Sequence, residues 1–275
     1  MSLTRFPLGR MSVAALLLAI ALAGCSSTKS DPAVANPSLP TDVNKLYAQA
    51  KDEIASGTWD SAVKTLERLE GRAAGTVLAQ QAQLDLAYVY WRSGERAQAL
   101  ATIERFIKLN PSSPALDYAL YLRGVINFND DVGVIGSLAG QDLTERDPRA
   151  MRDSYQAFKQ LVDQFPASAY SDDARVRMDY ITNALAEYEL HVARYYYRRG
   201  AYVAAVNRAQ QAVTDFQGAP ATEEALYIMV LGYERLGLEA LRDAANRVLM
   251  TNFPNTTFPA KGLTRESKAW WHIWN

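Results

Sequence analysis

Residues 83–109, QLDLAYVYWRSGERAQALATIERFIKL, contain the pattern that decides the fold. Apolar residues recur three or four positions apart on both sides of Gly94, at Leu84, Ala87, Tyr88 and Trp91 and then at Ala99, Ile103, Phe106 and Ile107. This spacing places the apolar residues of each half on one face of an α-helix. The stretch therefore predicts a pair of helices separated by a glycine turn, and the chain shows no alternating pattern typical of a strand.

The same helix–turn–helix pattern recurs along the chain. Turn glycines stand at Gly57, Gly94, Gly200 and Gly237, and the interval from 57 to 94 equals that from 200 to 237. A shared period of this kind indicates repeats, and the tetratricopeptide repeat has a frame of about 34 residues. In that frame, small residues stand where helices cross closely, and only small side chains permit such an approach. They are Ala50, Ala87, Gly124 and Ala193 on the first helices and Ala62, Ala99, Ala157 and Ala205 on the second helices.

We therefore predict an all-α tetratricopeptide superhelical solenoid of about five helix pairs. The fifth pair is expected to be irregular, because Arg242 occupies its small-residue position. Repeats are expected at residues 41–126 and 151–255, with a loop at 127–150 inserted into the third pair. The loop contains several carboxylates, but Val132 stands where a calcium-binding EF-hand requires glycine. We therefore expect no calcium site there.

The beginning of the chain is typical of an exported protein. Arg5 and Arg10 precede an apolar run from Met11 to Ala23, which is too short to cross a bilayer core of about 30 Å comfortably. Small residues follow this run, as in a cleaved export signal. Residues 1–24 are therefore predicted to be removed.

The residues Leu22-Ala23-Gly24-Cys25 resemble the lipobox of bacterial lipoproteins. The resemblance implies that Cys25 is acylated and becomes the membrane anchor, and Ser26 implies sorting to the outer membrane. Residues 25–40 are rich in proline and contain little to bury, which predicts a flexible tether. The alternative is an ordinary signal peptide with an incidental cysteine.

Composition argues against several classes of function. Lysine and arginine total 29 and aspartate and glutamate total 30, so the basic surplus of a nucleic-acid binder is missing. One cysteine and two histidines leave little for a soft-metal site or a nucleophile pair. The carboxylates fit solvated helix faces. We therefore predict no catalytic residue, no metal and no cofactor.

The first helix of each tetratricopeptide pair presents four positions to a concave groove. In the first three repeats nearly all of these positions are aromatic or apolar, and we predict a peptide-binding groove because exposed rings are costly unless they are used. The alternative is that some of these side chains only fill the interior of the superhelix. The predicted groove residues are Tyr47, Leu84, Tyr88, Trp91, Tyr118, Tyr121 and Phe128.

The last residues, 256–275, hold three of the five tryptophans, Trp270, Trp271 and Trp274. A solenoid needs a polar cap at its end, so one interpretation is a capping helix packed on the fifth repeat. The other interpretations are an interface with another protein or contact with anionic lipid, where tryptophan and basic residues occur together. Of these two we favour the protein interface, because the acyl anchor already supplies membrane affinity.

Five phrases resemble the BamD (ComL) family of outer-membrane lipoproteins, which belong to the β-barrel assembly machinery. They are Gln83–Leu86, Arg105–Pro111, Asp117-Tyr118 with Tyr121–Gly124, Arg146-Asp147-Pro148 after the long loop, and Gly200–Arg208. The resemblance implies a non-enzymatic scaffold anchored to the outer membrane and facing the periplasm. It also implies three kinds of partner, namely unfolded β-barrel proteins, the periplasmic domain of a BamA-like insertase and other lipoproteins of the assembly complex.

Within this family-like sequence, Arg208 lies on the second helix of the fourth pair, which faces outward in the frame. We therefore expect it to be free to pair with a carboxylate of the insertase. Two other functions stay open. A tetratricopeptide pilotin lipoprotein for a pilus or secretin is disfavoured by the Arg146-Asp147-Pro148 loop, and a peptidoglycan hydrolase would need a catalytic glutamate in a cleft.

Overall fold

A computed structural model describes residues 39–128 and 148–263 of the chain. Several predicted features lie outside these residues, namely the signal at 1–24, Cys25, most of the tether, the loop at 129–147 and the three tail tryptophans. The chain divides into two compact units, residues 1–46 and residues 47–275. The residues of the candidate binding surface described below all belong to the second unit.

Regular structure in the described residues is entirely helical. The helices are α1 (Leu39–Ala55), α2 (Trp59–Arg72), α3 (Val77–Arg92), α4 (Arg96–Leu109), α5 (Leu116–Phe128), α6 (Pro148–Gln164), α7 (Ser171–Arg198), α8 (Tyr202–Asp215), α9 (Ala221–Arg235), α10 (Glu239–Asn252) and α11 (Phe258–Lys261). From α2 to α10, each helix packs against the next one in the chain. The first helices of neighbouring pairs also contact each other: α3 contacts α5, and α7 contacts α9.

The helices α1 to α10 make five successive pairs, which confirms the predicted all-α architecture. Four of the five turns within pairs contain the glycines identified from the sequence. At Gly94, for example, φ is 85°, a left-handed conformation that glycine adopts without a steric penalty and that allows α3 to end and α4 to begin within a few residues.

The predicted small residues lie at helix crossings. Ala87, Ala99, Ala157 and Ala205 are fully buried. At Gly124 of α5, a Cβ atom would stand 2.6 Å from Cδ1 of Phe158, so the Phe158 ring occupies the space that a side chain would need. The corresponding position of the fifth pair, Arg242, is only half-buried, and the four large apolar side chains Leu238, Leu241, Val248 and Met250 are exposed on or next to α10.

Helix α7 differs from the repeat frame, because it is 28 residues long. Its first half contributes Ala174, Ile181 and Leu185 to a hydrophobic cluster with α5 and α6. Its second half contributes Ala186, Leu190 and Ala193 to a different cluster with α8 and α9. One continuous helix therefore joins the first three pairs to the last two.

None of the helices in the described ranges is both long enough and apolar enough to cross a membrane.

Candidate binding surface

Aromatic side chains of α1, α3, α5 and the beginning of α7 form the principal candidate site. We call this set the aromatic surface; it comprises Tyr47, Tyr88, Trp91, Tyr118, Tyr121, Phe128, Tyr170 and Tyr180. All eight side chains are half-buried, so each ring has one side packed and another open. Six of the eight were predicted from their positions on the first helices, and Tyr170 and Tyr180 are additions from the structure.

The rings of the third and fourth pairs lie in contact with one another. Tyr170 stacks on Tyr121 with ring centroids 4.9 Å apart, and it also contacts Tyr118 at 5.5 Å. Phe128 meets Tyr180 edge to face at 5.5 Å. The fully buried Phe158 of α6 packs beneath Tyr121 and Phe128. The rings are thus supported from below and held in fixed orientations.

A polar network fixes this part of the aromatic surface. The Tyr121 hydroxyl donates a hydrogen bond of 2.8 Å to Oδ2 of Asp173, and the same oxygen accepts a bond of 2.6 Å from Nε of Arg177. The Arg177 guanidinium in turn lies 5.1 Å from the centre of the Phe128 ring. Burial and the bond to Asp173 raise the pKa of Tyr121 above its ordinary value, so the hydroxyl stays a donor at neutral pH.

Asp85 of α3 is a second acidic group at the aromatic surface, and its residue is only 8% exposed. Its Oδ1 accepts a hydrogen bond of 3.2 Å from the Gln81 amide and lies 3.7 Å from Nζ of Lys51. Burial and, after it, the Asp85 carboxylate raise the pKa of Tyr47 to about 12. The same two causes raise the pKa of Tyr118. Tyrosines from the first helices of repeats one and three therefore share a carboxylate from repeat two.

The end of α3 carries a cation surrounded by rings. The guanidinium carbon of Arg92 lies 5.7 Å from the centre of the Trp59 ring, 5.8 Å from Trp91 and 6.0 Å from Tyr88. Tyr88 and Trp91 meet edge to face at 5.8 Å. Contacts of this kind attract a cation to the ring faces without neutralising its charge.

The prediction for Leu84 is wrong. Leu84 is 1% exposed and packs in a hydrophobic cluster with Ile103 and Phe106 of α4. Its position on α3 faces the partner helix of the same pair, so its side chain cannot reach a ligand. The other six predicted groove residues keep an accessible side.

The contact of Arg208 with the insertase stays a prediction, but Arg208 also has an ionic partner within the chain. Its Nη1 donates a hydrogen bond of 3.0 Å to Oε2 of Glu189, whose side chain is 1% exposed. Arg152 of α6 lies 3.5 Å from the other oxygen of Glu189. Two arginines from different second helices therefore neutralise one buried carboxylate of α7. The Arg208 side chain still keeps 41% of its surface exposed.

Asp85, Asp173, Arg177 and Arg92 were missed by sequence reasoning as members of the site. Asp85 stood within the family-like phrase Gln83–Leu86, which was the one available signal. Asp173, Arg177 and Arg92 belong to no local sequence motif. The long side chain of Arg92 also reaches a ring that does not stand at a groove position of the tetratricopeptide frame, that of Trp59. In residues 39–128 and 148–263, no three metal-ligating side chains converge on one point.

The arrangement therefore offers rings, a nearly buried carboxylate and an exposed guanidinium on one set of first helices. Chemically, it can bind an extended chain that has aromatic side chains and polar backbone groups.

Comparison with known proteins identifies the family. A sequence profile of the YfiO family, described as "Outer membrane lipoprotein", matches residues 40–249. The outer membrane protein assembly factor BamD of Neisseria meningitidis serogroup A is 44% identical over 258 residues, which cover 94% of this chain and 97% of that protein. The BamD of Vibrio cholerae is 36% identical over 239 residues, which cover 86% of this chain and 96% of that protein.

Among solved structures, the crystal structure of MamA protein covers 81% of this chain and 96% of its own, with 14% identity and a TM-score of 0.37, which is too low to carry an argument. The named relatives are assembly factors, which does not favour the pilotin alternative. Because both the family profile and relatives of this identity span most of the sequence, the chain belongs to the YfiO family of outer membrane lipoproteins, which includes BamD.

Proposed function

We propose that the chain is an outer membrane protein assembly factor that acts as a non-enzymatic scaffold. In this proposal it is anchored through Cys25, faces the periplasm, and binds segments of unfolded β-barrel proteins on the aromatic surface. Membership of the family and the names of the relatives support the assembly role. The family resemblance implies unfolded β-barrel proteins as partners, and our assignment of them to the aromatic surface depends on the geometry of the rings.

The observation that carries the proposal is the row of half-buried rings on the first helices of four successive repeats. Burying a ring contributes roughly 1.5–3 kcal/mol, and such aromatic anchors dominate protein interfaces. The rings are already held by Phe158, Asp173 and Arg177, so little conformational freedom is lost when a ligand binds.

The proposed ligand matches this surface in chemistry. Strands of outer-membrane barrels alternate apolar and polar side chains, and they carry aromatic residues at both membrane interfaces. An unfolded strand of this kind presents rings separated by backbone N–H and C=O groups. Aromatic side chains of the ligand can pack on the aromatic surface.

The proposal is tested by titrating a peptide from the C-terminus of an outer membrane β-barrel, ending in an aromatic residue, into the purified chain. The double variant Trp91→Ala/Tyr121→Ala removes two rings and is expected to bind at least about tenfold more weakly. The matched control is Leu109→Ala/Tyr195→Ala, which removes two exposed apolar side chains outside the aromatic surface. If the two double variants bind equally well, the aromatic surface is not the binding site.

Two further partners are proposed, one for Arg208 and one for the tryptophans near the C-terminus. The half-exposed Arg208 can contact a carboxylate of the BamA-like insertase while it remains bonded to Glu189. Trp270, Trp271 and Trp274 are proposed to contact another lipoprotein of the assembly complex, since the acyl chains of Cys25 would already supply membrane affinity. Circular dichroism before each binding assay separates a lost contact from a lost fold.

A further inference from the structure

The exposed guanidinium of Arg92 has no ionic partner among the described residues. None of the ion pairs or hydrogen bonds within residues 39–128 and 148–263 involves this side chain, and its contacts are with the rings of Trp59, Tyr88 and Trp91. Arginine carries five N–H donors in a planar fork that matches a carboxylate. Here the fork is positioned by three rings, and its donors remain unused.

Asp85, the carboxylate beside Tyr47 and Tyr118, stands on the same side of α3 as Arg92. Asp85 precedes Arg92 by seven residues, which is two helical turns or about 10 Å along the axis. An extended chain covers that distance in about three residues. The two charges are therefore separated by a span that a short peptide can bridge.

We propose that Arg92 binds the terminal carboxylate of the bound segment and thereby sets the direction of the chain on the aromatic surface. The inference rests on the proposed function, because it assumes that an aromatic-ended segment binds there. The terminal carboxylate lies against Arg92, and the last aromatic ring packs on Tyr88 and Trp91. The Asp85 carboxylate disfavours placing the terminus at the other end of this span.

The chemistry of the surroundings favours a peptide terminus over a free anion. A simple anion such as phosphate gains nothing from the rings that surround Arg92. A C-terminal aromatic residue carries both a carboxylate and a ring, so it satisfies the guanidinium and the apolar walls together. Asp85 adds a penalty against any ligand that carries its negative charge at the opposite end of α3.

The test compares two peptides of identical sequence, one with a free C-terminal carboxylate and one with a C-terminal amide. Each is titrated into the wild-type chain, into Arg92→Gln and into Arg199→Gln. Arg199 is a matched control, because it is an exposed arginine whose guanidinium lies 5.3 Å from the Tyr195 ring, outside the aromatic surface. We expect wild type and Arg199→Gln to prefer the free acid by about three- to tenfold, as for a partly exposed charge pair, and Arg92→Gln to lose that preference.

Two results would overturn the inference and leave the proposed function intact. The first is equal binding of both peptides by the wild type. The second is an equal loss for both peptides in Arg92→Gln, which would mean that the side chain only packs against the rings. If the wild type binds neither peptide, the proposed function fails and the inference fails with it.

Discussion

At the scale of single residues, Gly124 illustrates how closely the third pair is packed. The Phe158 ring fills the space beside its Cα, and the same ring supports Tyr121 and Phe128 of the aromatic surface. A side chain at position 124 would therefore disturb both the helix crossing and the site above it. Glycine at position 124 is therefore required for the packing of α5 on α6. Through the Phe158 ring, it also affects the aromatic surface.

We predict that Gly124→Ala lowers the free energy of unfolding by about 1–3 kcal/mol, because the added methyl group forces the Phe158 ring aside. The matched control is Gly71→Ala near the end of α2, where a Cβ atom meets nothing within 4 Å. That change is expected to be neutral or to stabilise by up to about 1 kcal/mol, since alanine favours the helix. Urea denaturation measures both, and equal midpoints for the two variants would contradict the packing account.

The pair of arginines at Glu189 gives a second prediction at this scale. Arg208→Gln removes one of two cations from a buried carboxylate and is expected to lower the free energy of unfolding by about 1–3 kcal/mol. Adding Glu189→Gln should restore part of this loss, because the buried charge is then gone.

The control for this pair is Arg242→Gln, whose partner Asp243 is exposed. Its effect is expected to be much smaller than that of Arg208→Gln, because an exposed ion pair adds little stability. Equal effects of Arg208→Gln and Arg242→Gln would show that the Glu189 pair adds no stability. A charge reversal at Arg208 would place two carboxylates together, so binding to the insertase is better tested with Arg208→Gln.

At the scale of elements, the helix pairs were predictable and the length of α7 was not. Apolar spacing and turn glycines located α3 and α4, because both features act within one pair of helices. The repeat frame treats every first helix as equal, whereas Ser171–Arg198 continues through two hydrophobic clusters. The sequence did hold a signal, since no glycine or proline occurs between Pro166 and Gly200.

The site was predictable to the extent that position on a helix decides exposure. Frame positions correctly selected Tyr88, Trp91, Tyr118 and Tyr121 as accessible aromatic residues. They failed at Leu84, which α4 covers, and at Arg92, whose long side chain folds across neighbouring rings. Contacts between different helices decide whether a side chain such as Leu84 is covered and which rings Arg92 reaches. The spacing of residues within one helix gives no information about these contacts.

We predict that breaking α7 separates the unfolding of its two halves. Asn183→Pro removes a backbone hydrogen bond near the boundary of the two clusters and costs about 3 kcal/mol or more. Thermal unfolding should then show two transitions, whereas the control Asn183→Ala should keep one. A single transition at the wild-type temperature in the proline variant would mean that α7 does not couple the two clusters.

At the scale of the whole molecule, the proposal requires a folded stack of helices that is held at a membrane without spanning it. The proposed attachment depends on acylation of Cys25. Several acyl chains bind far more firmly than one, because each buried methylene adds about 0.8 kcal/mol.

We predict that Cys25→Ala releases the chain into the periplasm, since the substitution removes the thiol that would carry the lipid. Fractionation of cells into soluble and membrane proteins measures the change, and Ser26→Ala serves as a control that keeps the cysteine. If Cys25→Ala stays with the membranes as tightly as the control, lipid is not the anchor.

The central claim is that the aromatic surface contacts unfolded β-barrel proteins during their assembly. Site-specific photo-crosslinking in living cells tests it most directly, with a photoreactive amino acid placed at position 91 or 121 and, as the control, at Val203 of α8, which is 60% exposed. We predict crosslinks to newly made outer-membrane barrel proteins from positions 91 and 121 and few from position 203. Equal crosslinking from all three positions, or none from 91 and 121, would contradict the account.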